Sequence, residues 1–449
     1  MTLLWKRWAA IGGLLVALVL CWLAATDDPR VWPVRNTLQY HFAKGWWSII
    51  GAPSSGSAAS ARGTVATVTG VVRDTHGRPM QGARVLLAAW DGTSYGSVTG
   101  PTGQYLIPAI PAGMYAAVVG KPEYDSLVLN NEWLPRWPWQ PAQRIHIRSS
   151  GENRVDVTLK ANASPVTVRP GTNLTVGVPQ LVESEVPIPA RAWRRQVSFD
   201  TGGRANQLTL LYTPTTADVA ASLPVLLTVY PGPADQWESA SVPLAAAGYA
   251  VIAVGPAYSF EVEQDVDELA QLVQFARAGK LPNIDGRRIG VLGGSYSGLH
   301  VQRLLQRDLA IRAAALMGAS TDLFDMRRRL ENGTFIPPFG LDQALIALGF
   351  PDREPLRYWR YSGAYHVHPS MPPMLLIHSR SDDVVPYQQS VMLAEELARV
   401  GVPHKLHLLD GGSHYLLSSE GDARLIHSLT LGFLARYVDC PPAGGPSAC

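Results

Sequence analysis

The chain has 449 residues, enough for two or three domains. Apolar residues make up 47% and charged residues only 16%, a balance that excludes a disordered, highly charged chain. The formal net charge is +2 and no long basic run occurs, so nothing points to nucleic acid as a partner.

Lys6 and Arg7 precede the uncharged run "WAAIGGLLVALVLCWLAA", and Asp27 and Asp28 follow it. A basic flank ahead of an apolar run keeps the N-terminus in the cytoplasm. Residues 1–26 therefore predict an uncleaved membrane anchor, with a cleaved signal peptide as the alternative, since "LAAT" also reads as a cleavage site. Either reading places the rest of the chain outside the cytoplasm. Residues 27–63 read as a juxtamembrane segment and linker, in which Trp46 and Trp47 rest at the membrane surface or pack on the next domain. The stretch "APSSGSAASARG" is flexible by composition.

Residues 64–160 alternate short apolar runs with Gly, Pro and Asp turns, the pattern of an all-β sandwich. The pieces "VTGVVRDTHGRPMQGARV", "TGPTGQYLIPAIPAGMY" and "VDVTL" resemble the carboxypeptidase regulatory-like domain. That resemblance implies a fold and no chemistry. The tryptophans of "NNEWLPRWPWQPAQ" (Trp133, Trp137 and Trp139) either form a partner surface or cover their own domain. Residues 161–195 are Pro- and Val-rich with weak patterning and read as a connector.

From residue 196 to 440 the texture is α/β. The candidate strands are "QLTLLYT", "PVLLTVY", "YAVIAV", "RIGVLG", "AAALM", "PMLLIH" and "HKLHLL". Amphipathic helices such as "EQDVDELAQLVQFARAG" and "YQQSVMLAEELARVG" lie between them. Apolar strands separated by such helices form a doubly wound, mostly parallel sheet covered on both faces.

In "RIGVLGGSYSGLHVQRLL" a strand stops at two glycines, Ser295 follows, and a helix begins. This is the pattern of a nucleophile elbow, a strained turn that holds the serine oxygen clear of the backbone. The Tyr296 N–H, at the helix N-terminus, is a candidate oxyanion donor. Ser297 stands where the motif expects glycine and is a rival nucleophile. A serine needs a base, and the base needs an orienting acid. "PMLLIHSRSDDVVPYQQS" offers Asp382 and Asp383 after a strand, and "HKLHLLDGGSHYLL" offers His414 after the next. The order Ser–Asp–His is the one this fold uses.

The stretches "GGSYSG", "HSRSDDVVPYQQS" and "DGGSHY", with "PVLLTVYPGPADQW", resemble the prolyl oligopeptidase family of serine peptidases, a branch of the α/β-hydrolases. The resemblance covers roughly residues 196–438. It implies Ser295 as nucleophile, Asp382 rather than Asp383 as acid, His414 as base and Tyr230 as an oxyanion donor, with no metal or cofactor. His378 matches a structural position of the family. The chain departs from the family in its N-terminal half, where a β-sandwich stands in place of the usual β-propeller. The implied function is cleavage of peptide bonds through an acyl-enzyme. A carboxylesterase with the same triad and an inactive hydrolase-fold binding protein are the alternatives. Residues 320–370 are expected to line the substrate pocket, with Arg357 and Arg360 as candidate partners of a substrate carboxylate. Cys440 and Cys449, in the tail 441–449 and its edge, are compatible with a disulfide or with two free thiols.

Overall fold

The computed structural model describes residues 31–53, 65–129, 144–162, 171–205, 207–216, 222–256, 261–307, 309–338, 340–416 and 419–439, with Gly13, Leu18, Val19 and Trp22. The rest of the expected anchor, the tryptophan-rich stretch 131–143 and the C-terminal cysteines lie outside the described residues. Among the described residues no helix is long and apolar enough to cross a membrane. The chain divides into two compact units. One comprises residues 1–162 and 323–360, the other residues 163–322 and 361–449.

In the first unit two sheets share one core. Strands β1 (Val65–Asp74), β4 (Gln104–Pro111), β8 (Asn153–Arg154) and β9 (Val157–Leu159) form one sheet. Strands β2 (Arg84–Ala88), β3 (Ser94–Val98), β5 (Gly113–Gly120), β6 (Leu127–Leu129) and β7 (Ile145–Ile147) form the other. Alternating residues meet inside: Val68 and Val72 of β1, Val85 and Leu87 of β2, Ala117 and Val119 of β5. The expected all-β sandwich is present among the described residues.

Within the expected juxtamembrane segment, residues 32–50 form helix α1 (Trp32–Ile50). Pro33 opens it, where its missing N–H costs nothing, and Gly51 closes it with φ 87°. Trp47 packs on Trp90 and Phe350 at ring distances of 4.6 and 5.4 Å. Trp46 remains 52% exposed. Trp47 therefore packs on Trp90 of the sandwich, one of the two expectations, while Trp46 is left exposed.

The second unit is built on a ten-stranded sheet. Its centre is parallel, in the order β15 (Ala250–Val254), β14 (Leu223–Val229), β16 (Ile284–Gly294), β17 (Ala313–Met317), β18 (Met374–Ser379), β19 (His404–Leu409). Strand β14 is buried throughout. Val225, Leu227 and Val229 enter the core on one face and Leu226 the core on the other. Helix α3 (Val262–Arg277) covers the first face with Val266, Leu269, Ala270 and Val273. All seven expected strands are present.

The stretch 161–195 is a correction. Instead of a plain connector it supplies β10 (Thr172–Val176), β11 (Gln180–Ser184) and the start of β12 (Ala190–Asp200). These pair antiparallel, and β12 pairs antiparallel with β13 (Gln207–Pro214), which joins β15. As edge strands they are largely exposed, so their sequence carries little apolar alternation.

Between β17 and β18 the chain leaves the sheet through α5 (Leu323–Glu331), α6 (Leu341–Ala347) and α7 (Pro355–Tyr361). Residues 323–360 group with the first unit rather than with the sheet that precedes and follows them. Within that unit Arg35 pairs with Glu354 at 2.8 Å, and the Trp359 indole donates to Ser126 Oγ at 3.0 Å. Gly92, at φ 87°, lies so near Phe324 O that a β-carbon would sit 2.4 Å away.

Candidate active site

Strand β14 lies between β15 and β16, so the chain passes to opposite sides of it in succession. In open α/β sheets such a switch point, at the carboxyl ends of the strands, is where sites form. Strand β16 ends here at Gly294, and α4 (Ser297–Leu305) begins three residues later. Ser295 takes the turn at φ 52°, a left-handed conformation that L-residues rarely adopt. Its N–H donates to Met317 O at 3.0 Å, which ties the turn to the end of β17. Glycines surround it for steric reasons. A β-carbon on Gly293 would lie 2.5 Å from Val301, and one on Gly294 2.7 Å from Met317 O.

His414 follows β19 on the loop carrying Gly411 and Gly412. Its Nε2 lies 2.8 Å from Ser295 Oγ, and its Nδ1 lies 2.8 Å from Asp382 Oδ2 and 3.0 Å from Oδ1. Asp382, on the loop after β18, is the acid at this ring. Asp383 instead accepts the His414 backbone N–H, at 3.4 Å. The sequence-predicted triad is thus assembled, all of it within the second unit. The Asp382 side chain is fully buried. Burial alone would raise its pKa. Hydrogen bonds from His378 and His414, and from the Val385 N–H, overcome this and hold the carboxyl well below the usual range.

Three further residues support the triad. His378 is buried between Ser390 Oγ at 2.7 Å and Val385 O at 2.9 Å, with Asp382 Oδ2 at 3.1 Å. Ser379 Oγ donates to the carbonyls of Gly411 and Gly412 at 3.0 and 2.6 Å, linking the loop of the acid to that of the base. Gly318, at φ 56°, lies beneath both. A β-carbon there would sit 3.2 Å from Asp382 Oδ2 and 3.4 Å from the His414 ring. Sequence reading missed Ser379 and Gly318. The only local signal for Gly318 is a glycine just past the apolar strand "AAALM".

Tyr230 directly follows β14 and lies against the elbow, since a β-carbon on Gly294 would be 3.4 Å from its ring. The ring stacks on Trp237 at 4.8 Å, and burial pushes the phenol up to about 12. Its hydroxyl donates to Met317 Sδ at 3.7 Å, a weak acceptor. Tyr296 caps the N-terminus of α4 and sets its ring edge-on to His300 at 5.1 Å. Ser297, the rival nucleophile, is completely buried, and its hydroxyl has no hydrogen-bond partner. Arg357 is already engaged within the first unit, by Glu354 at 3.0 Å and by the Trp32 ring at 3.8 Å. That engagement removes the reason for reserving it for a substrate carboxylate.

Residues 261–440 match the profile of the prolyl oligopeptidase family, and residues 67–160 match that of the carboxypeptidase regulatory-like domain. The chain is 28% identical over 186 residues to an "uncharacterized peptidase YuxL" of Bacillus subtilis (strain 168), covering 38% of this chain and 27% of that protein. It is 24% identical over 253 residues to a "probable dipeptidyl-peptidase 5" of Aspergillus clavatus, covering 50% of this chain and 33% of that protein. The matches therefore span about a third or less of those relatives' length. Among solved structures, an acylaminoacyl peptidase of Pyrococcus horikoshii is similar at 17% identity and TM-score 0.43, over 80% of this chain and 55% of that one. The esterase Est2 of Thermogutta terrifontis is similar at 17% identity and TM-score 0.42, over 54% and 92%.

Proposed function

We propose, with the prolyl oligopeptidase family domain at residues 261–440 as premise, that this chain is a serine hydrolase cleaving peptide bonds through an acyl-enzyme on Ser295. The observation that carries the reading is the continuous relay Asp382–His414–Ser295, with 2.8 Å at each link and the serine held at φ 52° on its turn.

His414 Nε2 takes the Ser295 proton as Oγ bonds to the acyl carbon. Asp382 orients the ring and stabilises its charged form. The carbonyl oxygen becomes an oxyanion. Tyr230 and the Tyr296 N–H serve it, Tyr230 exchanging its weak thioether acceptor for a charged oxygen. The intermediate collapses, the C–N bond breaks, and His414 returns the proton to the departing amine. Water then attacks the ester, with His414 again as base, and releases the acid and Ser295. The family match supports peptide over simple ester as the substrate.

The test compares aminoacyl amides and short acyl esters on the full chain, with Ser295→Ala alongside. Amide cleavage that disappears in the variant is expected. Ester turnover without amide cleavage would make the chain a carboxylesterase. A serine-reactive phosphonate that fails to label Ser295 would mark the fold as a binding protein.

A further inference from the structure

Helix α1 buries polar as well as apolar side chains. Trp32, Ala43 and Trp47 are covered, and so are Arg35 and Asn36. Arg35 pairs with Glu354 at 2.8 Å, Asn36 donates to Ala347 O at 2.9 Å, and Lys44 pairs with Glu331 at 3.2 Å. Its outer flank carries Val34, Leu38, Phe42, Trp46, Ile49 and Ile50, between 52% and 77% exposed. At 3.6 residues per turn these six fall in one arc along the helix. Gly45 lies within that arc, and His41 and Ser48 mark one edge. Arg35 and Gln39 also fall within that arc, but Arg35 is buried against Glu354 and exposes no charge there, and Lys44, outside the arc, pairs with Glu331.

A continuous stripe of large apolar side chains marks an interaction surface. The neighbouring sequence indicates what it meets. Residues 8–25 are an uncharged apolar run behind Lys6 and Arg7, as long as a minimal membrane span. Only residues 26–31 separate that run from α1, a tether of at most about 20 Å when extended. If the run enters a bilayer, α1 begins at its surface, where tryptophan is favoured.

We propose that the outer face of α1 lies in the interfacial layer of a lipid bilayer, with Phe42 and Trp46 among the acyl chains. This rests on the reading of residues 8–25 as membrane-entering and is independent of the proposed peptidase activity. Because the one charged residue in that arc, Arg35, is buried and neutralised by Glu354, the contact depends on apolar burial and does not require anionic lipid.

The experiment uses the full chain with Cys21→Ser, Cys440→Ser and Cys449→Ser, reconstituted in phosphatidylcholine vesicles with or without phosphatidylglycerol. Single cysteines introduced by Leu38→Cys, Phe42→Cys or Trp46→Cys carry an environment-sensitive fluorophore. Leu208→Cys, at an exposed position of β13, is the control. The expected result is blue-shifted emission and loss of fluorescence to nitroxide-bearing lipid at the three α1 sites, equal in both lipid mixtures and absent at 208. Quenching of the α1 labels by aqueous iodide as at 208 would overturn the proposal. So would a chain that does not float with the vesicles. Protection from both quenchers would also overturn it, showing a second copy if the mass doubles and the chain's own apolar run if it does not.

Discussion

Tyr230 is the residue at which the proposed contribution of a single hydroxyl can be measured. It is buried, stacked on Trp237, and bonded only to a thioether, so its hydrogen bond strengthens when an oxyanion forms beside it. Tyr230→Phe is expected to lower kcat roughly a hundred-fold, about 3 kcal/mol of barrier, with little change in KM. A near-normal kcat would remove it from the oxyanion site. Asp382 gives a pH signature. Its pKa is lower folded than unfolded. Its stabilisation is therefore fully present above the ordinary carboxylate value of about 3.9 and is lost as pH falls through the lower folded value. The gap in unfolding free energy between the wild type and Asp382→Asn should be constant near neutrality and shrink in acid. A gap independent of pH would contradict the depressed pKa.

At the scale of elements, two pieces illustrate opposite degrees of legibility. The β16–α4 elbow was readable because its constraints are local: small residues before the turn, an apolar run behind it and an amphipathic run ahead. Helix α5 was not readable. Its Arg327 is completely buried, a rare position for a charge. There it meets Glu331, the carbonyls of Leu345 and Gly349, and the rings of Tyr40 and Phe350. In sequence it is one arginine of three in "RRR". Arg327→Ala removes the buried cation at Glu331, leaving only the half-exposed Lys44 beside it, and is expected to cost about 3 kcal/mol of stability, measured by urea unfolding. A loss below about 1 kcal/mol would place the pair with ordinary surface ion pairs.

At the scale of the whole molecule, the boundary between units does not follow the chain. Residues 323–360 interrupt the segment that builds the parallel sheet, yet belong to the unit of α1 and the sandwich. A chain beginning at residue 163 would keep the sheet strands and the triad but lack Arg35, Asn36 and Tyr40, which contact α6, the residues that follow it and Arg327. Amide hydrogen exchange over 323–360 should rise markedly in that chain while the exchange of β14, β16 and β18 stays slow. Unchanged protection over 323–360 would mean that the excursion is stable without its partners.

From the sequence alone came the sandwich, the parallel strands, the elbow and the order Ser295, Asp382, His414, because each leaves a short-range mark: alternation, an uninterrupted apolar run, or a turn residue. The tertiary structure decided what depends on residues far apart in the chain. It showed how the two carboxylates divide, Asp382 facing the His414 ring and Asp383 the His414 backbone N–H. It joined β10 and β11 to the sheet, since exposed edge strands need little apolar patterning. It allotted 323–360 to the N-terminal unit, and it buried Arg35 of α1 against Glu354 while leaving Leu38, Phe42 and Trp46 exposed.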